Sequence, residues 1–156
     1  MTSSRIIRHM HQGSVPPQNF PLPFDLVVLC AEGCQFDPRA YGRHPFGARA
    51  RILRVPLTDG GMALSPRQAA AAYAAGGEVA AAIARGERVL TTCQAGLNRS
   101  GVVNAFALMH LGWTAPEAVG LIRNARAGAL HNPHFVQLVY SVGGRSLFRV
   151  PNSRVA

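Results

Sequence analysis

The chain has 156 residues, carries 16 Lys+Arg against 7 Asp+Glu for a net charge of +9, and is 48% apolar. That length suits one domain with one packed core, and no apolar run approaches the ~20 residues needed to span a bilayer. Residues 1–12 lack the apolar middle of a signal peptide. Three cysteines without a framework spacing point to a reducing compartment, so a cytoplasmic protein is expected. The positive charge is all arginine, with no lysine, and is spread along the chain. It draws acidic substrates such as phosphoesters, and no segment concentrates it into a dedicated nucleic-acid arm.

In chain order, residues 1–4 read as a loose end, and Ile6 to His11 as a short edge strand broken at Gly13-Ser14-Val15-Pro16-Pro17. Phe24 to Cys30 is nearly all apolar, as a strand buried on both faces should be. Residues 33–49 read as loop with at most one helical turn, and Arg51 to Pro56 as a strand ending at its proline. Leu57-Thr58-Asp59-Gly60-Gly61 comes next, so Asp59 stands on a loop directly after a strand. It is read either as a turn aspartate bonded to its own backbone or as a proton donor.

Ser65-Pro66 opens a helix with an N-cap and a first-turn proline, Gly76-Gly77 interrupts it as a possible kink, and Gly86 ends it after about Arg85. Glu87 to Thr92 reads as a strand delivering Cys93. A loop through Gln94, Ala95, Gly96, Leu97, Asn98 and Arg99 leads to Ser100 and a helix from Gly101 to Leu111. A strand, a tight loop and a helix start point successive N–H groups inward and add the positive end of a helix, which makes an anion cradle. A thiolate at its base is stabilised by those groups and by Arg99, whose planar fork fits two oxygens of a phosphoryl group.

Thr114-x-x-Glu117 is a capping box that opens a helix to about Arg126, and Asn132-Pro133 starts a last helix to about Val142. Residues 145–156 form a basic tail. Arg123 and Arg126 read as a solvated helix face or as lining of the substrate mouth, and Asn98 and Asn132 as braces for the cradle or as helix caps. His131 and His134 have helical spacing, but no acid or cysteine stands near them in sequence, so no zinc site is expected. Strands alternating with helices imply an α/β fold with a mainly parallel sheet flanked by helices, and the cradle is expected at the carboxyl ends of its strands.

Cys93-x5-Arg99-Ser100, set between strand and helix, resembles the signature of the dual-specificity and protein tyrosine phosphatases. The Gly-Ser at Gly13-Ser14, the closing Asn-Pro-His-Phe-Val-Gln-Leu helix, and Leu29-Cys30-Ala31-Glu32, which is similar to a segment of the tumour-suppressor phosphoinositide phosphatase, extend the resemblance over residues 5–143. The resemblance implies a single-domain protein tyrosine phosphatase-like fold, with 1–4 and 145–156 as terminal segments. It implies phosphomonoester hydrolysis through a phosphocysteine on Cys93, with Gln94 to Arg99 binding the phosphoryl group, Asp59 as general acid, Ser100 assisting the sulfur, and no cofactor or metal. It implies that Cys30 can form a disulfide with Cys93 under oxidation; a small buried apolar residue is the alternative. The expected substrates are phosphoproteins carrying phosphotyrosine or phosphoserine/threonine, because the short 33–49 segment leaves little room for a deep pocket. An RNA 5′-phosphatase, a nucleotide or phosphoinositide phosphatase, and a phosphate-binding module without turnover are the alternatives. The family usually has histidine directly before the cysteine; Thr92 stands there, and its hydroxyl can still bond to the loop, but the departure implies modest catalytic power.

Overall fold

The computed structural model describes residues 3–15, 24–35 and 50–143. The chain starts with a hairpin of β1 (Ser3–Ile7) and β2 (Met10–Ser14), turning at Arg8-His9 with His9 at φ 69°. The loose end, the single edge strand and the break at Gly13 expected from the sequence are therefore corrected. Arg8-His9 makes the turn, Ser3 and Ser4 pair with Gly13 and Gln12, and Gly13 lies inside a strand. Then come β3 (Leu26–Ala31), a 3₁₀ turn over Glu32–Cys34, β4 (Arg51–Leu57), α1 (Pro66–Ala84), β5 (Val89–Cys93), α2 (Arg99–His110), α3 (Ala115–Ala125) and α4 (Pro133–Gly143). Most of the 33–49 segment and all of 145–156 lie outside the described residues.

The five strands form one sheet in the order β1-β2-β5-β3-β4, in which all pairs but β1–β2 are parallel. This is the expected α/β fold with a mainly parallel sheet. Pro56 lies within β4 rather than ending it. It is tolerated because β4 is an edge strand, where a missing N–H leaves no ladder bond unmade.

Strand alternation sorts the sheet into two faces. Leu26, Val28, Cys30, Val89 and Cys93 join the large core with the helices, whereas Val27, Leu29 and Leu90 cluster with Phe24 on the other face. The central helix α2 is buried from Ser100 to Leu108, and complete burial of a side chain such as its Phe106 contributes about 1.5–3 kcal/mol. Helix α1 runs unbroken through Gly76-Gly77, against the expected kink. A Cβ on Gly76 would lie 2.6 Å from the Phe106 Cβ and 2.9 Å from the Ala107 nitrogen, so the glycine permits close crossing of α1 and α2. Ser65 and Thr114 make the capping boxes that open α1 and α3.

Candidate active site

β5 and β4, which flank β3, end at the same edge of the sheet, and the loops beyond them meet. Cys93 closes β5 and Asp59 lies two residues after β4. A cleft of about 360 Å³ is lined by both, and by Ala95, Leu97, Asn98, Arg99, Gly61, His131, Asn132 and Pro133. Residues from three separate stretches of chain are thus brought to the carboxyl ends of the strands, where open α/β sheets hold ligands.

The loop after Cys93 is held from outside by its carbonyls. The Gln12 side chain, fully buried on β2, donates from Nε2 to the Gly96 carbonyl at 3.1 Å and the Leu97 carbonyl at 3.3 Å. Its own Oε1 accepts from Asn104 Nδ2 on α2 at 3.1 Å. Arg126 donates to the Ala95 carbonyl at 3.1 Å, the Leu130 N–H to the Leu97 carbonyl at 3.2 Å, and the Val102 N–H to the Asn98 carbonyl at 2.9 Å. In a trans peptide the N–H points opposite to the carbonyl. Carbonyls turned outward at residues 95 to 98 therefore turn the N–H groups of residues 96 to 99 toward the hollow of the loop. Gly96 makes the sharp turn at φ 68°, and a Cβ there would lie 2.3 Å from the Gly13 carbonyl carbon, so β2 and the loop touch backbone to backbone.

Two side chains at the start of α2 face the hollow. Ser100 Oγ lies 3.3 Å from Cys93 Sγ. Arg99 donates from one terminal nitrogen to the Leu57 carbonyl at 3.4 Å, and its Nε is buried without a partner among the described residues. A buried guanidinium donor left unpaired is unusual, and an oxyanion in the hollow would satisfy it.

Asp59 is held at both carboxylate oxygens. Asn98 Nδ2 donates to Oδ2 at 2.9 Å and Asn132 Nδ2 donates to Oδ1 at 3.0 Å. Asn132 also donates to the Met62 carbonyl, and its Oδ1 accepts from the His134 N–H at the start of α4. In sequence Asn98 and Asn132 each read as a brace or a cap. Asn132 is both, whereas Asn98 precedes α2 without a side-chain cap and braces Asp59 and Asn132 instead.

Two expectations are corrected. Thr92 Oγ1 donates to the Val28 carbonyl on β3 at 3.3 Å rather than to the loop, because strand alternation sends Thr92 to the face opposite Cys93. Arg123 is exposed, as on a solvated face, and also donates to the Leu130 carbonyl at 2.7 Å, whereas Arg126, half-buried, reaches the cradle at the Ala95 carbonyl. Gln12 and Asn104 carry no signal in sequence, since their partners lie 84 and 92 residues away.

Cys30 sits beside the site. The β3–β5 register runs Val28 to Thr91 and Leu29 to Thr92 and stops one residue short of the two cysteines, where β3 also shifts register against β4; Cys93 is near enough to act on the Cys30 thiol. Both thiols are free and buried. Burial pushes the Cys30 thiol pKa well above its ordinary value, and neighbouring Cys93 adds to the shift, against an opposing effect of Arg99 and of a hydrogen bond from the Thr92 backbone. Cys34 is half-buried and packs against the main core.

A comparison with curated protein sequences finds no match. Among solved structures, human DUSP28 superposes with a TM-score of 0.72 at 22% identity, covering 91% of this chain and 93% of its own. The active form of Tk-PTP gives 0.70 at 21%, covering 92% and 97%. PTPMT1 gives 0.69 at 16%, covering 92% and 94%. At these identities the likeness establishes the fold. The family model of the dual specificity phosphatase catalytic domain matches residues 12–143, from the strand that holds the cradle to the last turn of α4. The chain therefore belongs to the dual-specificity phosphatases, cysteine-dependent enzymes that hydrolyse phosphoesters.

Proposed function

We propose that the protein is a dual-specificity protein phosphatase that cleaves phosphotyrosine and phosphoserine/threonine esters through a phosphocysteine on Cys93. The observation that carries this reading is that Cys93, Arg99 and Asp59 line one cleft. In the first step the Cys93 thiolate attacks phosphorus and the bond to the leaving oxygen breaks. Inward N–H groups of the loop and the Arg99 fork hold the equatorial oxygens as charge shifts onto them. Asp59, protonated, gives its proton to the leaving oxygen; such positioned acids contribute about 10²–10⁴ in rate. In the second step water attacks phosphorus, Asp59 takes a proton from it, and the phosphorus–sulfur bond breaks. Ser100, 3.3 Å from the sulfur, donates a hydrogen bond to the thiolate as it departs.

The cleft lining favours a singly phosphorylated substrate. Among the described residues that line it Arg99 is the one arginine, and Ala95, Leu97 and Pro133 present apolar surface beside it. A polyphosphorylated inositol headgroup calls for several cations at the mouth. PTPMT1 has been solved in complex with PI(5)P, so a lipid substrate belongs in the test. The deciding experiment is a side-by-side assay of phosphotyrosine and phosphoserine/threonine peptides, 5′-phosphorylated RNA, nucleotides and inositol phosphates. Highest kcat/KM on both classes of phosphopeptide is expected. A preference for RNA ends or inositol phosphates overturns the protein-substrate reading, and no turnover of any ester overturns the enzymatic one.

We further propose that Cys30 resolves oxidised Cys93. Neighbouring parallel strands lie about 4.8 Å apart, within the ~4.4–6.8 Å Cα separation that a disulfide needs. Hydrogen peroxide oxidises the Cys93 thiolate to a sulfenic acid; the Cys30 thiol then attacks that sulfur, forms the S–S bond and expels water.

A further inference from the structure

We infer that His131 is a positioning residue for the proton transfer assigned to Asp59, acting through Asn98; the inference rests on that assignment. Hydrogen-bond directions orient the Asn98 amide. The Asn132 N–H can only donate, and it lies 3.2 Å from Asn98 Oδ1. Asp59 as a carboxylate can only accept, and its Oδ2 lies 2.9 Å from Asn98 Nδ2. Two independent partners thus fix which end of the amide is oxygen and which is nitrogen.

The amide nitrogen has a second hydrogen, and His131 Nε2 lies 3.0 Å from it. That ring nitrogen must therefore be an acceptor. The other ring nitrogen, Nδ1, lies 3.0 Å from the Gly128 carbonyl, which can only accept, so the ring carries its proton there. The imidazole is bonded at both edges, and both bonds have a defined direction. Its lone pair takes up the second Asn98 N–H and so keeps the first aimed at Asp59. Without that acceptor the Asn98 amide keeps only its bonds to Asn132 and Asp59, and the bond to Asp59 Oδ2 is aimed less narrowly.

The backbone supplies an independent observation. Leu130, directly before His131, has φ 53°, a left-handed conformation that side-chain-bearing residues seldom adopt. It is held there because its N–H bonds the Leu97 carbonyl, its own carbonyl accepts from Arg123, and its side chain is fully buried. The same loop that carries Asn98 thus fixes the turn that presents His131 to the cleft. Backbone strain of this kind gathers at functional sites, where the surrounding structure holds it in place.

The test separates proton delivery from binding. Two esters of similar shape are compared: 4-nitrophenyl phosphate, whose leaving group departs without a proton, and phenyl phosphate, whose leaving group needs one. His131→Leu is expected to lose about five- to tenfold more kcat/KM, which reports the leaving-group step alone, on the phenyl ester than on the nitrophenyl ester, about the effect of one lost hydrogen bond. His131→Gln, whose amide oxygen can accept from Asn98, is expected to recover most of the difference. Asp59→Asn, run in parallel, is expected to show the same bias at about 10²-fold. Equal losses on both esters in His131→Leu, or no recovery in His131→Gln, overturn the role of His131 while leaving Asp59 in place. No ester bias in Asp59→Asn overturns the acid assignment and this inference with it. If His131→Leu fails to fold, His131→Ala carries the same comparison.

Discussion

Cys30 stands one residue before the end of β3 and Cys93 at the end of β5, neighbouring parallel strands of one sheet, and both are buried in the same core. Their strands are alike: β3 and β5 are buried at every position. The segments beyond the two strands differ. After β3 comes a single 3₁₀ turn with no side-chain cap. After β5 comes a loop whose carbonyls are pulled outward by Gln12, Arg126 and Leu130, leading into a helix whose second residue touches the sulfur. Burial without such a setting pushes the Cys30 thiol toward its protonated form. A cysteine at a strand end therefore takes its chemistry from the loop behind it rather than from the strand or the depth of burial.

The two cysteines part most widely in turnover. Cys93→Ser is expected to lose 4-nitrophenyl phosphate turnover by about 10⁴-fold or more, as removal of a covalent nucleophile does. Cys30→Ala under reducing conditions is expected to stay within about threefold, the usual scale for a small buried substitution that leaves the reacting groups in place. Near-native turnover by Cys93→Ser would remove the phosphocysteine.

Oxidation separates them in a second way. After peroxide and then dithiothreitol, the native chain is expected to recover most of its activity, and Cys30→Ala roughly tenfold less, since its sulfenic acid proceeds to sulfinic acid. Peptide mapping without reductant should find Cys30 joined to Cys93. Equal recovery of the two proteins would return Cys30 to a packing role.

Gln12→Leu tests the outward pull on the cradle. It leaves the Gly96 carbonyl and Asn104 Nδ2 without their buried partner, which costs about 2–3 kcal/mol. A fall in Tm of about 4–12 °C is expected, with a raised KM for the phosphoester. An unchanged KM would mean that the loop keeps its shape without Gln12.

The smallest effect is on stability at alkaline pH. The folded-state pKa of Cys30 is raised, so the native thiol keeps its proton where the unfolded one gives it up. This stabilisation is complete below the unfolded pKa, near 9.0, and is lost as pH rises toward the folded value. Between about pH 8.5 and 10 the native chain should lose up to about 1.4 kcal/mol per pH unit more than Cys30→Ala. Parallel denaturation curves for the two would show no such linkage.

Much of this is legible along the chain because the signals are local. Ser65-Pro66 and Thr114-x-x-Glu117 are caps read from neighbouring residues, and both are formed. Cys93 to Arg99 reads as a cradle because strand, glycine turn and helix succeed one another within a few residues. The hairpin is hidden because its turn, Arg8-His9, contains neither glycine nor proline. The bond of Thr92 is hidden because its partner Val28 lies on a strand 64 residues away.

Spacing and near neighbours are enough to specify most of the strands, the helices, the cysteine loop and the aspartate-bearing loop, since each depends on residues a few positions apart. Folding in three dimensions decides what holds them in register: Gln12 on the loop carbonyls, Asn98 and Asn132 on Asp59, His131 on Asn98, Cys30 beside Cys93. Apart from the two cysteines, those are polar contacts between distant residues. A buried donor and its acceptor satisfy each other through space, and no periodicity in the chain encodes that pairing.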